Sequence, residues 1–138
     1  MSKFKVASTF SDYVPVIRYP EVLLNYAEAL ARAGDAASLT RARALLAAVR
    51  NRSDATYVFP ASAVTTQAAL IATILQEKKI EFLGEGFRTP DLQRLLQTLP
   101  GKASLSGSAP AVTAAENRYI WPIPASETSI NALAVPNP

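Results

Sequence analysis

The sequence predicts an all-α chain: an αα-hairpin, a long third helix, a short fourth helix and an extended Pro-rich C-terminal strap. Three observations predict this. Apolar residues recur at helical spacing in separate stretches. Residues that start and stop helices bracket those stretches. The ten prolines lie mostly outside them, and two fall within Trp121-Pro122-Ile123-Pro124, which bars that segment from a central strand. With 138 residues, 49% of them hydrophobic, the chain has enough apolar surface for one core and reads as a single domain over 1–138.

Residues 1–19 are extended and polar, with Pro15 inside Tyr13-Val14-Pro15-Val16-Ile17, and read as an arm. Pro20 suits the first position of a helix, and Glu21 complements its dipole in the first turn. Leu23, Tyr26, Ala27, Leu30 and Ala31 form the one-sided stripe of that helix, and Gly34 ends it in the left-handed conformation. Asp35 or Ser38 caps the second helix. Its stripe is Leu39, Ala42, Leu45, Leu46 and Val49. The short link makes the two helices antiparallel neighbours.

A break containing Pro60 follows, and Thr65 or Thr66 caps the third helix. It carries Leu70, Ile71, Ile74, Leu75, Phe82 and Leu83 and ends at Gly84 or Gly86, with Ile80 off the stripe. Thr89-Pro90-Asp91 reads as a fresh N-terminus, opening a short helix through Leu99. Residues 100–118, rich in Gly, Ser, Ala and Pro, read as a mobile loop. Tyr119 through Pro124 is the strap, laid across helices with Trp121 as its anchor, and Ser126-Glu127-Thr128 starts a last helical turn.

Composition excludes several functions. The chain has no Cys and no His, so disulfides, thiolate sites, cysteine nucleophiles and Ser-His-Asp triads are ruled out. No Gly-rich phosphate loop occurs, and neither a metal nor a cofactor is expected. No apolar run reaches the roughly 18 residues of a membrane span. The net charge of +3 comes from basic residues spread over several elements and mixed with acidic ones, which argues against nucleic acid.

Two charged constellations merit weighing. Glu77, Glu81 and Glu85 share one face of the third helix at i, i+4, i+8. Such carboxylates could act as acid and base. Beside Lys78, Lys79 and Arg88 they read instead as a solvated or ion-paired face, so no enzyme activity is expected. Arg88 sits in a turn within reach of Glu85 and Asp91, and a planar guanidinium there would bridge both and set the angle between two helices. Trp121, Tyr119 and Tyr57, with Tyr26, are the candidates for sugar stacking. The competing reading is that they complete a small core with a polar tip at its edge.

Residues 20–52 resemble a single tetratricopeptide hairpin: Leu23, Ala27, Leu30 and Gly34 fall at that repeat's spacings, as do Ala42 and Leu46 if the turn is lengthened by about three residues. A lone hairpin leaves a face uncovered, so self-association is expected. Further motifs carry a more specific likeness. Arg18-Tyr19-Pro20-Glu21 through Ala29 resembles the R-x-x-E helix of the SusD/RagB family. Val49-Arg50-Asn51-Arg52 resembles the end of its next helix. Glu77 through Arg88 with Asp91-Leu92-Gln93-Arg94 resembles its E-R-R-x-E…E-G-x-R…D-L-x-R segment, with Lys78 and Lys79 in place of arginines. Trp121-Pro122-Ile123-Pro124 with Glu127 and Asn131 is similar to its C-terminal strap.

The resemblance spans about residues 18–131 and implies a C-terminal portion of a longer cell-surface lipoprotein, with Met1 as an added start. It implies a non-enzymatic, nutrient- or glycan-binding scaffold at the outer membrane, partnered by a SusC-like TonB-dependent transporter. Membrane attachment would be only through a lipid anchor absent from this chain. The matched positions are scaffold ones: Arg18, Glu21, Arg50, Glu77, Glu81, Glu85, Arg88, Asp91 and Arg94. The alternative is a stand-alone tetratricopeptide-like adaptor that docks a protein segment.

Overall fold

The computed structural model describes residues 16–136. It is mainly helical and forms two compact units, one ending at Glu81 and one beginning at Phe82. The proposed arm over 1–19 lies outside the described residues apart from its last four.

In the first unit, α1 (Tyr19–Ala33) and α2 (Ala36–Asn51) form the expected hairpin. The connection follows from two residues. Gly34 adopts φ 82° and returns its N–H to the Leu30 carbonyl. Asp35 then caps α2, its carboxylate accepting from the Ser38 N–H at 2.9 Å. A short helix, α3 (Ala61–Val64), precedes the long α4 (Gln67–Glu81), with Thr66 Oγ1 accepting from the Ala69 N–H as its cap. Helix α4 packs on both members of the hairpin. The core they share is Leu24, Ala27 and Ala31 from α1, Ala42, Leu46 and Val49 from α2, and Leu70 and Ile74 from α4.

Polar side chains tie the helix ends. The Gln67 amide donates to the carbonyls of Ala31 and Arg32, satisfying the C-terminus of α1. A side chain on Gly34 would come within 2.8 Å of that same amide, so the position needs glycine for space as well as for its positive φ. Arg43 donates to the carbonyls of Val64 and Thr65 at the end of α3, and Thr73 Oγ1 donates to Ala63 O.

Two expectations need correction here. The buried face of α1 is rotated relative to the predicted stripe: Leu24 and Glu28 are buried, whereas Tyr26 is 44% exposed. Glu28 can be buried because Arg32 and Lys78 approach it, an effect that apolar periodicity does not register. Helix α4 ends at Glu81, before the glycines; Gly84 and Gly86 both take positive φ in the turns that follow. Leu83, assigned to the helical stripe, is exposed.

The second unit is built around α5 (Arg88–Arg94), with a core of Phe82, Leu92 and Tyr119. The Phe82 and Phe87 rings pack at 4.8 Å between centroids. The stretch over 100–118 contains an antiparallel hairpin that the composition did not signal, β1 (Lys102–Ser104) with β2 (Gly107–Ala109), closed at its base by reciprocal hydrogen bonds between Leu99 and Val112. Its small residues let the backbones pair tightly, and Gly107 takes φ 146° beside the turn. A 3-10 turn at Asn117–Tyr119, an extended stretch through Pro124 and α6 (Ala125–Ile130) make up the strap.

The strap's anchor is Tyr119 and not Trp121. Tyr119 is 4% exposed, and its hydroxyl lies 2.7 Å from Gln97 O and 3.1 Å from Leu92 O, while Gln93 donates back to the Tyr119 carbonyl. Trp121 is 86% exposed. The single phenolic proton goes to the nearer Gln97 carbonyl, with Leu92 O second in reach, so the ring is buried with its polar tip satisfied.

Candidate functional site

The densest concentration of functional groups in the first unit lies along the last two turns of α4. Glu77, Lys78 and Glu81 project toward α1, its leading residue Arg18, and α2. Glu81 receives Arg18 at 2.7 Å and both of its oxygens receive Arg52 at 2.9 Å. Arg18 also donates to the backbone carbonyl of Glu81 at 3.0 Å, which places a cation at the C-terminal end of the α4 dipole. One turn back, Glu77 pairs with Arg50. On the α1 side, Glu28 accepts from Arg32 at 2.8 and 2.9 Å, and Lys78 Nζ stands 3.6 Å from its other oxygen.

Burial sets the electrostatics of this clamp. Glu77 is 4% exposed, and desolvation pushes its carboxyl above the ordinary carboxylate range; the Arg50 guanidinium pulls it back and Glu81 adds repulsion. Arg50 lies over the Tyr57 ring at 4.8 Å, and Tyr57 stands edge-on to Phe59. The guanidinium is thus held between a carboxylate and an aromatic face, a geometry that lysine could not reproduce. Its Nε is buried without a hydrogen-bond partner, as is Glu21 Oε2. Elsewhere, exposed carboxylates are pulled below the usual range by local donors. For Asp35 the donor is Ser38, for Asp54 it is Thr56, and for Glu116 it is the Thr113 N–H with Arg118.

Of the nine motif positions, Arg18, Arg50, Glu77 and Glu81 come together in this clamp, and Glu21 lies in the first turn of α1. Glu85, Arg88, Asp91 and Arg94 belong to the other unit, where Asp91 pairs with Arg94 at 2.7 Å. Arg88 does not bridge Glu85 and Asp91. It is exposed and has no ion pair among the described residues; Asp91 pairs instead with Arg94, three positions on along α5. Glu77 and Glu81 of the glutamate row are ion-paired under the surface, and their partners come from outside α4. Sequence reasoning missed Arg52, Glu28 and Lys78 as clamp members; the i, i+2 spacing of Arg50 and Arg52 was the signal available for the first.

The clamp is suited to holding three helices. Glu77 and Glu81 are each matched to guanidinium groups, so this pair of carboxylates is committed to ion pairs. Among the described residues no group of three or more acidic side chains could hold a metal, and no helix is long and apolar enough to cross a membrane. The stacking candidates separate clearly. Tyr119 is removed from that role, since its ring is inside the core. Tyr57 is partly exposed but covers Arg50. Trp121 presents its ring to solvent.

The model of the SusD family (SusD_RagB) matches residues 3–138, nearly the entire chain. Neither a curated protein nor a solved structure matches it.

Proposed function

The chain belongs to the SusD family, and from that premise we propose that it is a non-enzymatic recognition and scaffold module for a glycan nutrient. Family members bind nutrients, carbohydrates among them, at the outer membrane, in association with SusC-type transporters. In this reading the chain serves at the cell surface beside a SusC-like TonB-dependent transporter. The observation that supports it is the commitment of the motif's charged residues to a buried clamp: Arg18, Arg50, Glu77 and Glu81 hold the helices in place. Capture then falls to exposed groups, and of the stacking candidates Trp121 is the most exposed, at 86%.

Affinity electrophoresis against a panel of soluble polysaccharides tests this. Retardation by at least one glycan, reduced about tenfold or more by Trp121→Ala, is the expected result. Uniform migration against every glycan would refute glycan capture by this chain, and retardation unchanged in the alanine variant would refute the role of Trp121. Co-purification with a transporter from detergent-solubilised outer membranes tests the partnership.

A further inference from the structure

Among the described residues, two buried side-chain polar atoms make no hydrogen bond: Glu21 Oε2 and Arg50 Nε. The first is an acceptor on a carboxylate and the second a donor on a guanidinium. Buried groups of this kind are rarely left unpaired in a folded chain. The packing of the three helices of the clamp brings these two to the same place.

Helix α4 runs antiparallel to α1. The Gln67 amide at its start reaches the carbonyls of Ala31 and Arg32, and Arg18 reaches Glu81 at its end. Each residue advances either helix by about 1.5 Å. Glu21, three residues on from Arg18, is therefore level with Lys78, and Glu77 is its next neighbour along α4. Arg50 of α2 carries its guanidinium to Glu77, and so to the level of Glu21. Direction agrees with height. Glu21 stands seven residues, or two turns, before Glu28 on the same face of α1. The Glu28 carboxylate meets Lys78 of α4, so this face of α1 looks toward α4.

Charge gives an independent reason. The ion pairs of the clamp set three guanidinium groups, Arg18, Arg50 and Arg52, against two carboxylates, Glu77 and Glu81. Glu21 makes the two signs equal. It is not bonded to Arg50 Nε directly. A water molecule has the chemistry to join them: its oxygen accepts from Nε–H, and one of its protons goes to Oε2. Two polar partners are the least that an enclosed water needs. We infer that one enclosed water bridges Arg50 Nε and Glu21 Oε2, which makes Glu21 the third carboxylate of the clamp.

The bridge gives Glu21 a positioning role. Arg50 presents Nη2 to Glu77 and lays its plane over the Tyr57 ring. A second tether at Nε, on the other arm of the planar group, fixes the rotation of that plane, so that both contacts are held together.

The inference is independent of the glycan role. It is tested by NMR on the whole chain labelled with 15N-arginine. The Arg50 Nε–H should exchange slowly with solvent and show a cross-peak to a long-lived water. Glu21→Leu fills the space and offers no acceptor; it should abolish the cross-peak and speed Nε–H exchange by more than about tenfold, with an unchanged circular dichroism spectrum. Glu21→Gln keeps the shape and an oxygen acceptor, so it should retain the water while shifting the Arg50 Nε resonance. A protected Nε–H without a water cross-peak overturns the bridge, and so does exchange at the rate of a solvent-exposed arginine. A water cross-peak that survives Glu21→Leu, or an Nε resonance that Glu21→Gln leaves unmoved, overturns the assignment of Glu21 to the clamp.

Discussion

The two units of the chain use charge in opposite ways. In the first, ion pairs join residues 27, 29 and 63 positions apart, and their carboxylates lie under the surface. In the second, the ion pairs Asp91–Arg94 and Glu116–Arg118 span three and two positions, so each stays within one short stretch of chain although Asp91 is itself buried. A long-range buried pair fixes how helices meet. A local pair braces one stretch of chain whose placement rests on other forces. The first unit therefore relies on its clamp, while the second relies on Tyr119 and its small aromatic core.

The largest effect expected from this contrast comes from removing Arg50. Arg50→Ala leaves Glu77 buried without its guanidinium and takes away the cation under the Tyr57 ring, and should destabilise the protein by about 2–4 kcal/mol in urea unfolding. Arg88→Ala, the matching change in the second unit, should cost less than about 0.5 kcal/mol. Replacing Arg50 and Glu77 together with leucines should cost less than Arg50→Ala alone, since no unpaired charge then remains inside. Equal effects of Arg50→Ala and Arg88→Ala would erase the distinction between the two units.

The same contrast explains how much could be read from the sequence. The hairpin was legible down to Gly34 and Asp35, because caps and glycine conformation are local properties. The membership of Arg18, Arg50, Glu77 and Glu81 in one structural motif was legible through ordered resemblance. Their pairing was not, since spacing tells which residues share a helix face and says nothing of which helices meet. Glu28 was misplaced because a carboxylate is assumed to be outside until its cations are seen. In the second unit Arg88 was given the partner that Arg94 holds, two local choices that spacing alone does not separate. The 102–109 hairpin was missed because glycine, serine and alanine give neither apolar alternation nor β-branched bulk.

A smaller effect tests the anchor of the second unit. Tyr119→Phe keeps the buried ring and removes the hydroxyl that reaches the carbonyls of Gln97 and Leu92. A loss of about 1–2 kcal/mol is expected, with faster amide exchange near the end of α5. Trp121→Ala in the same segment should leave stability within about 0.5 kcal/mol. A reversed order would return the anchor to Trp121 and leave the buried tyrosine without a structural purpose.

The subtlest contrast is in the response to acid, and it separates a buried carboxylate from exposed ones within the first unit as well as between the two. Burial raises the Glu77 carboxyl above its unfolded value, so the folded protein holds that proton more tightly than the unfolded chain does. The stability this group contributes is fully present below the ordinary carboxylate value of 4.5 and is lost as pH rises through the raised one. Asp35, Asp54 and Glu116 behave oppositely: their contribution is present above the ordinary value and is lost as pH falls through their lowered ones. Glu77→Gln removes the first dependence and keeps the second. The stability of the natural protein relative to Glu77→Gln should therefore rise steadily as pH is lowered from about 7 toward 4.5, measured by chemical denaturation at each pH. A relative stability that is flat across this window, or that falls with acid, would mean that the attraction of Arg50 outweighs desolvation. The clamp would then be held by Coulomb pairing strong enough to keep its inner carboxylate ionised.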